Sequence, residues 1–127
     1  FYQLHELTPT MLARFTQVDY DREMALVAVD EAGGAPAIIG VARYIMGPDQ
    51  ESAEFAVVVA DAWHGKGVAW NLMARLVACA KARGLRRLEG LVLRNNRNML
   101  KFIETFGFKS RESPEDPEQV SVVLELR

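Results

Sequence analysis

The chain has 127 residues, 50% of them hydrophobic and 25% charged, which suffices to bury roughly two thirds of the unfolded surface in one core but hardly in two. Its 15 basic and 17 acidic residues are interspersed at a net charge of −2, so nothing marks a nucleic-acid footprint. Cys79 is the only cysteine, which excludes an intramolecular disulfide, and no apolar run is long enough to span a membrane or make a signal sequence; a reducing cytoplasm is the expected location.

The first residue is Phe1 rather than Met, and the opening to Leu7 carries no cap or turn, as expected of a piece of a longer chain. Thr8 or Thr10 can cap a short helix with Pro9 in its first turn and Met11, Leu12, Phe15 and Val18 on its apolar side. Asp19 to Glu23 interrupts, and Met24 to Val29 reads as a strand. Gly33-Gly34 turns the chain into a strand from Ala37 to Tyr44, with Gly40 at a bulge. Gly47-Pro48-Asp49 turns it again into Glu54 to Ala60, whose run Phe55 to Val59 is β-branched and continuous enough for a buried strand. The short connections make these three an antiparallel set.

A turn with two glycines, His64-Gly65-Lys66-Gly67-Val68-Ala69, leads into Leu72, Met73, Leu76, Val77 and Ala80, spaced as one face of a helix that stops near Gly84. Arg87 to Leu93 follows as a strand, set parallel to the Glu54 strand by the helical crossover. Met99, Phe102, Ile103 and Phe106 give a second amphipathic helix, Ser110 to Glu118 an acidic loop, and Val120 to Leu126 a closing strand. There is no repeat and no low-complexity segment. No His, Cys or Asp spacing suggests a metal site.

The glycine turn is the chemically informative stretch. A strand-to-helix turn leaves backbone N–H groups unpaired where the helix dipole favours negative charge, and Gly65, Gly67 and Ala69 let a phosphate approach the backbone, with Lys66 adding charge at the rim. A plain strand-to-helix turn accounts for the glycines equally well. The Walker pattern fails for want of Gly-Lys-Ser/Thr, and the dinucleotide pattern fails because no first βαβ unit is present.

His64 to Ala69 resembles the acyl-CoA signature of the GNAT N-acetyltransferase superfamily, with His64 in place of its usual Arg or Gln. A second stretch agrees: Asn96-Arg97-Asn98-Met99 followed by Gly107-Phe108 is similar to that family's helix beginning in Asn and ending in Gly-Phe. The segment from Leu7 to Val29 looks like the GNAT domain at the C-terminal end of large bacterial protein lysine acetyltransferases of the Pat type, which also carry an acyl-CoA-synthetase-like region. The resemblance implies an α/β GNAT fold over residues 1–127: a mixed, mostly antiparallel sheet flanked by helices, with a V-shaped opening between the Glu54 and Arg87 strands. It also implies that the usual first strand is missing or lies upstream.

Acetyl-CoA is the co-substrate the resemblance implies, held by backbone groups of Val57, Val58 and Val59, by the loop from His64 through Gly65, Lys66, Gly67 and Val68 to Ala69, and by Asn96, which serves equally as an N-cap. An amine must lose a proton before attacking a thioester, so a base is required. Glu54, ten residues before His64, takes that role by resemblance, and desolvation at the start of a buried strand would favour its protonated form; the plain alternative is a solvated edge carboxylate. The family often has a tyrosine acid seven residues after the helix Asn, where this chain has Ile103, so the thiolate takes its proton from solvent or from the amine product. Tyr20, Asp21 and Glu23 are expected beside the acceptor groove, where they would attract a lysine, or else they solvate a helix end.

His64 reads as a surface residue and Cys79 as core, while Arg86, Arg87, Arg94 and Arg97 either reach the 3′-phosphate of CoA or form a solvated face. The implied function is acetyl transfer to an amine, foremost the ε-amine of a lysine in a protein such as an acyl-CoA synthetase. Acetylation of a small amine, or acyl-CoA sensing without turnover, are the alternatives.

Overall fold

The computed structural model describes residues 2–6, 22–112 and 117–126. In chain order these form strands β1 (Tyr2–Glu6), β2 (Glu23–Asp30), β3 (Ala37–Met46) and β4 (Ser52–Val59), a 3-10 turn (Asp61–Trp63), helix α1 (Val68–Arg83), β5 (Arg87–Leu93), helix α2 (Arg97–Phe106), β6 (Lys109–Glu112) and β7 (Gln119–Glu125). The strands make one sheet in the order β1-β2-β3-β4-β5-β7-β6. Every neighbouring pair is antiparallel except β4 and β5.

Two expectations are corrected here. A strand precedes β2 where the usual first strand is expected to be missing or upstream: Tyr2–Glu6 pairs with Leu26 to Asp30 of β2. The stretch read as a loop from Ser110 begins inside β6, which pairs with Val120 to Val123 of β7. Its sequence, Lys-Ser-Arg-Glu, has no apolar alternation; β7 rather than composition makes it a strand, and its charges suit a sheet edge. The helix expected over residues 8–18 lies outside the described residues.

α1 is placed by β3. A Cβ on Gly40 would stand 3.0 Å from Leu72 Cδ1 and 3.2 Å from Val68 Cγ1, so the glycine lets the helix settle against the strand. The irregularity in the β2–β3 ladder lies beside it, where Ala28 faces Gly40 and Val29 faces Ile38, leaving Ile39 as the extra residue. Leu72, Met73 and Leu76 are fully buried and meet Leu26, Ala28, Ala42 and Tyr44 in the core. Gly84, in the left-handed region at φ 88°, ends the helix.

The turn into β4 is set by Asp49. Its Oδ1 accepts from the N–H groups of Glu51 at 3.0 Å and Ser52 at 3.1 Å, while Gly47 N–H donates to Ser52 O at 2.8 Å. Those two backbone donors hold the Asp49 carboxyl below the usual carboxylate range.

Candidate functional site

The site grows from the one parallel pair among the described strands. β4 and β5 pair over just three residues, Ser52 with Arg87, Ala53 with Leu88 and Glu54 with Glu89. Beyond Glu54 the two strands part, although β4 stays paired to β3 as far as Val59 and Gly40. Antiparallel ladders alternate, and Ala60 N–H donates to Ile39 O, which turns the backbone groups of Ala56 and Val58 toward β3 and those of Phe55, Val57 and Val59 toward the parted edge. A run of main-chain donors and acceptors therefore faces the opening. Val58 lies in the stretch, but its backbone is spent on β3.

The far end of that edge is closed by the loop. His64 is exposed, and its Nε2 lies 2.8 Å from Val59 O; since a carbonyl only accepts, Nε2 carries the hydrogen. Asp61 Oδ1 stands 3.7 Å from the same nitrogen. The ring thus ties the loop to the end of β4. Gly65 and Gly67 have φ of 76° and 83°, and a Cβ on either would meet no atom within 4 Å. Open space therefore lies directly against the backbone at both glycines, where an anion can approach main-chain N–H groups. The first intrahelical bond runs from Asn71 N–H to Gly67 O at 3.0 Å, so the amides of Val68, Ala69 and Trp70 have no partner within the helix. Lys66 Nζ lies 5.7 Å from the Trp63 ring centroid, at the rim of this turn.

Glu54 projects from the side of the sheet opposite α1, together with Ile45 and Glu89, its neighbours across β3 and β5. It is exposed, so the desolvation expected for it is absent: β4 is buried on its α1 side only, where Ala53 points. The Glu89 carboxylate is matched by Arg87 Nε at 2.9 Å, and among the described residues no ion pair or hydrogen bond engages Glu54. Arg87 also lies 3.7 Å from Asp49, and Arg86 lies 3.6 Å from Glu51. This pair therefore sits at the start of β5, at the opposite end of the strand from the glycine loop.

Of the expected acceptor residues, Tyr20 and Asp21 lie outside the described residues. Glu23 belongs to β2 and is 9% exposed, with both carboxylate oxygens buried and, among the described residues, without hydrogen-bond partner; it is not a solvated acid at a helix end. The register places it in one cross-strand row with Ile45, Glu54 and Glu89, about 10 Å from Glu54 at two strand spacings. Asn96 caps α2, its Oδ1 accepting from Met99 N–H at 3.2 Å. Ile103, at the position of the family's tyrosine, is 1% exposed and lies in the core. Among the described residues no group of three His, Cys, Asp or Glu is placed to hold a metal, and no helix is long and apolar enough to cross a membrane.

Sequence reading missed Phe55 and Gly90, which meet where the strands part. A glycine inside a strand pattern was the available signal, since it often marks a close approach.

The model of the Acetyltransferase (GNAT) family matches residues 2–108. The chain is a member of that family. The crystal structure of the GNAT domain of S. lividans PAT is 30% identical, covers 94% of this chain and 69% of its own, and superposes with a TM-score of 0.77. Among curated relatives, acetyltransferase PA5475 of Pseudomonas aeruginosa is 30% identical over 93% of this chain, and acetyltransferase Pat of Mycolicibacterium smegmatis is 30% identical over 84%. The chain spans 63% and 32% of those two relatives' lengths. The parted edge of β4 offers main-chain donors and acceptors, and the open glycine loop offers the free amides at the start of α1.

Proposed function

We propose that this GNAT domain transfers the acetyl group of acetyl-CoA to the ε-amine of a lysine in a protein such as an acyl-CoA synthetase, with Glu54 as general base, in the cytoplasm. The observation that carries the reading is the position of Glu54: an accessible carboxylate, engaged by none of the described residues, on the last β4–β5 rung, beside the point where the free edge of β4 begins. The loop from His64 to Ala69 takes the pyrophosphate on its backbone amides, Val57 and Val59 face the arm, and Asn96 stands at the start of α2 across the opening. Glu54 accepts a proton from the acceptor ammonium, directly or through one water. The freed nitrogen attacks the thioester carbonyl, the C–S bond breaks to leave the amide, and the thiolate is protonated by solvent or by the proton that the attacking nitrogen sheds, because Ile103 offers no proton. Alignment of two bound reactants supplies much of the rate.

A protein rather than a small amine is favoured as acceptor by the surface around Glu54. Val58, Leu91 and Leu93 are 68%, 54% and 52% exposed and lie on the same side of the sheet as Glu54, flanking the opening on both strands. Glu23 joins this acceptor side from β2. Tyr20 and Asp21 are assigned an acceptor-binding role on the family resemblance alone. The likeness to Pat acetyltransferases extends the proposal to a longer protein in which this domain performs the transfer.

The test is acetyl-CoA consumption by wild type and Glu54→Gln against a panel of acyl-CoA synthetases and free amines, with mass spectrometry to locate the acetyl group. Turnover should fall by about 10²- to 10⁴-fold in Glu54→Gln while acetyl-CoA affinity is kept. Equal activity of the two proteins removes Glu54 from the role. Binding without turnover in either replaces the enzyme by an acyl-CoA sensor.

A further inference from the structure

Glu54 and Glu89 are the last paired residues of β4 and β5, and the next residue on each strand is Phe55 and Gly90. A Cβ on Gly90 would lie 2.6 Å from Phe55 Cε1, 3.0 Å from Cζ and 3.1 Å from Cδ1. No side chain fits there, so the ring edge rests on the glycine backbone. Gly90 does not adopt a left-handed conformation; the close approach of the ring is what demands it. From the other direction the ring is braced by Phe108, with centroids 5.0 Å apart at 49°, and Phe108 is itself buried. Phe55 points to the α1 side of the sheet, since it pairs with Tyr44. The ring therefore fills the inner corner of the opening, one residue from the carboxylate on the other side.

We infer that Phe55, seated on Gly90, is the floor of the acyl slot and limits the thioester to short acyl groups, acetyl or propionyl. The inference rests on the proposed acyl-CoA substrate. With the pyrophosphate on the glycine loop, the arm runs back along the free edge of β4 from Val59 to Phe55, about 13 Å at strand rise, and ends at this corner. The outer side of the corner must stay open for the acceptor nitrogen to reach the carbonyl. Inward, an acyl chain of more than a few carbons meets the Phe55 ring, which cannot retreat because Gly90 and Phe108 hold it on two sides.

The experiment is a calorimetric titration of CoA, acetyl-CoA, propionyl-CoA, butyryl-CoA and hexanoyl-CoA into wild type, Phe55→Leu and Phe55→Ala, with thermal melts to verify folding. Turnover with the same series on any acceptor found runs in parallel. Wild type should bind hexanoyl-CoA at least about tenfold more weakly than acetyl-CoA, the discrimination that a few misplaced methylenes bring in a closed pocket. That ratio should fall toward one in Phe55→Ala and lie between in Phe55→Leu, which keeps most of the core volume. Gly90→Ala should act oppositely, pushing the ring into the slot and weakening propionyl-CoA relative to CoA. Equal affinities across the series in wild type, or an unchanged ratio in a folded Phe55 variant, overturn the inference while leaving the acyl-CoA site in place. If no CoA species binds wild type, the substrate reading itself is wrong and the slot goes with it.

Discussion

The Asn96 Oδ1 is committed to the Met99 N–H, which leaves its NH2 group for a ligand. Asn96→Ala should cost about 1 kcal/mol through the lost cap. Asn96→Ser keeps a capping oxygen but has no amide donor, so it should melt close to wild type and still bind acyl-CoA more weakly; unchanged affinity would make Asn96 a cap alone. Asp49 offers a pH test. Its carboxyl is held below the usual range by the Glu51 and Ser52 amides, so in the folded chain it stays ionised where the unfolded chain takes up a proton. The stability this contributes is complete above the unfolded value of about 3.9 and is lost as pH falls through the lower folded value. Melts of wild type and Asp49→Ala should therefore differ most at neutral pH and converge in strong acid. Burial, then the neighbouring Glu6 carboxylate, pushes the Cys79 thiol up, with its Sγ 3.7 Å from Glu6 Oε1. Cys79 should react with a thiol reagent at pH 8 more slowly than a free cysteine peptide, and Glu6→Gln should speed it.

At the scale of elements, the glycine loop separates strain from ligand contact. Gly67→Ala forces a side chain to φ 83° and should cost about 1–2 kcal/mol, read as a lower melting temperature. Because its Cβ would stand in otherwise open space, acyl-CoA affinity should fall as well, by more than an equally destabilising change such as a trimmed core residue produces. β2 through β5 and both helices were legible to within a residue or two, because each carries its own apolar period and ends in a turn residue of defined conformation, such as Gly84. β1 and β6 were not. Tyr2–Glu6 is a short edge segment with weak alternation, and Lys109–Glu112 has no apolar residue; pairing makes each of them, β1 with a β2 that begins only at Glu23 and β6 with β7 next in the chain, and neither segment's own composition shows it. The site divides the same way. The loop glycines stand out by their spacing and Glu54 is singled out by the family resemblance, whereas the seating of Phe55 on Gly90 joins residues 35 positions apart and follows only from where the β4–β5 ladder stops. The desolvation expected of Glu54 failed for a related reason: an apolar neighbourhood in sequence says nothing about which side of the sheet is covered.

In the molecule as a whole, β1 to β4 with α1 form one half, and β5, β7, β6 and α2 the other. Three rungs join them along the sheet; above it, aromatic contacts connect the helices, Trp70 of α1 lying 4.6 Å from Phe106 and 6.2 Å from Phe102 of α2 by ring centroids. Trp70→Ala should loosen this joint by about 0.5–1.5 kcal/mol beyond the area it exposes. Hydrogen exchange should show the Val57 amide, on the parted edge, open sooner than the amides of Val58 and Ala56, which are bonded to β3, and acyl-CoA should slow the first far more than the others. A substrate lying in that gap supplies rungs the polypeptide lacks. By mass action, acyl-CoA at 100 times its dissociation constant adds about 2.7 kcal/mol to folding. The melting temperature should climb with the logarithm of its concentration, so that starvation for the substrate would thin the standing pool of folded protein before it slowed a single turnover.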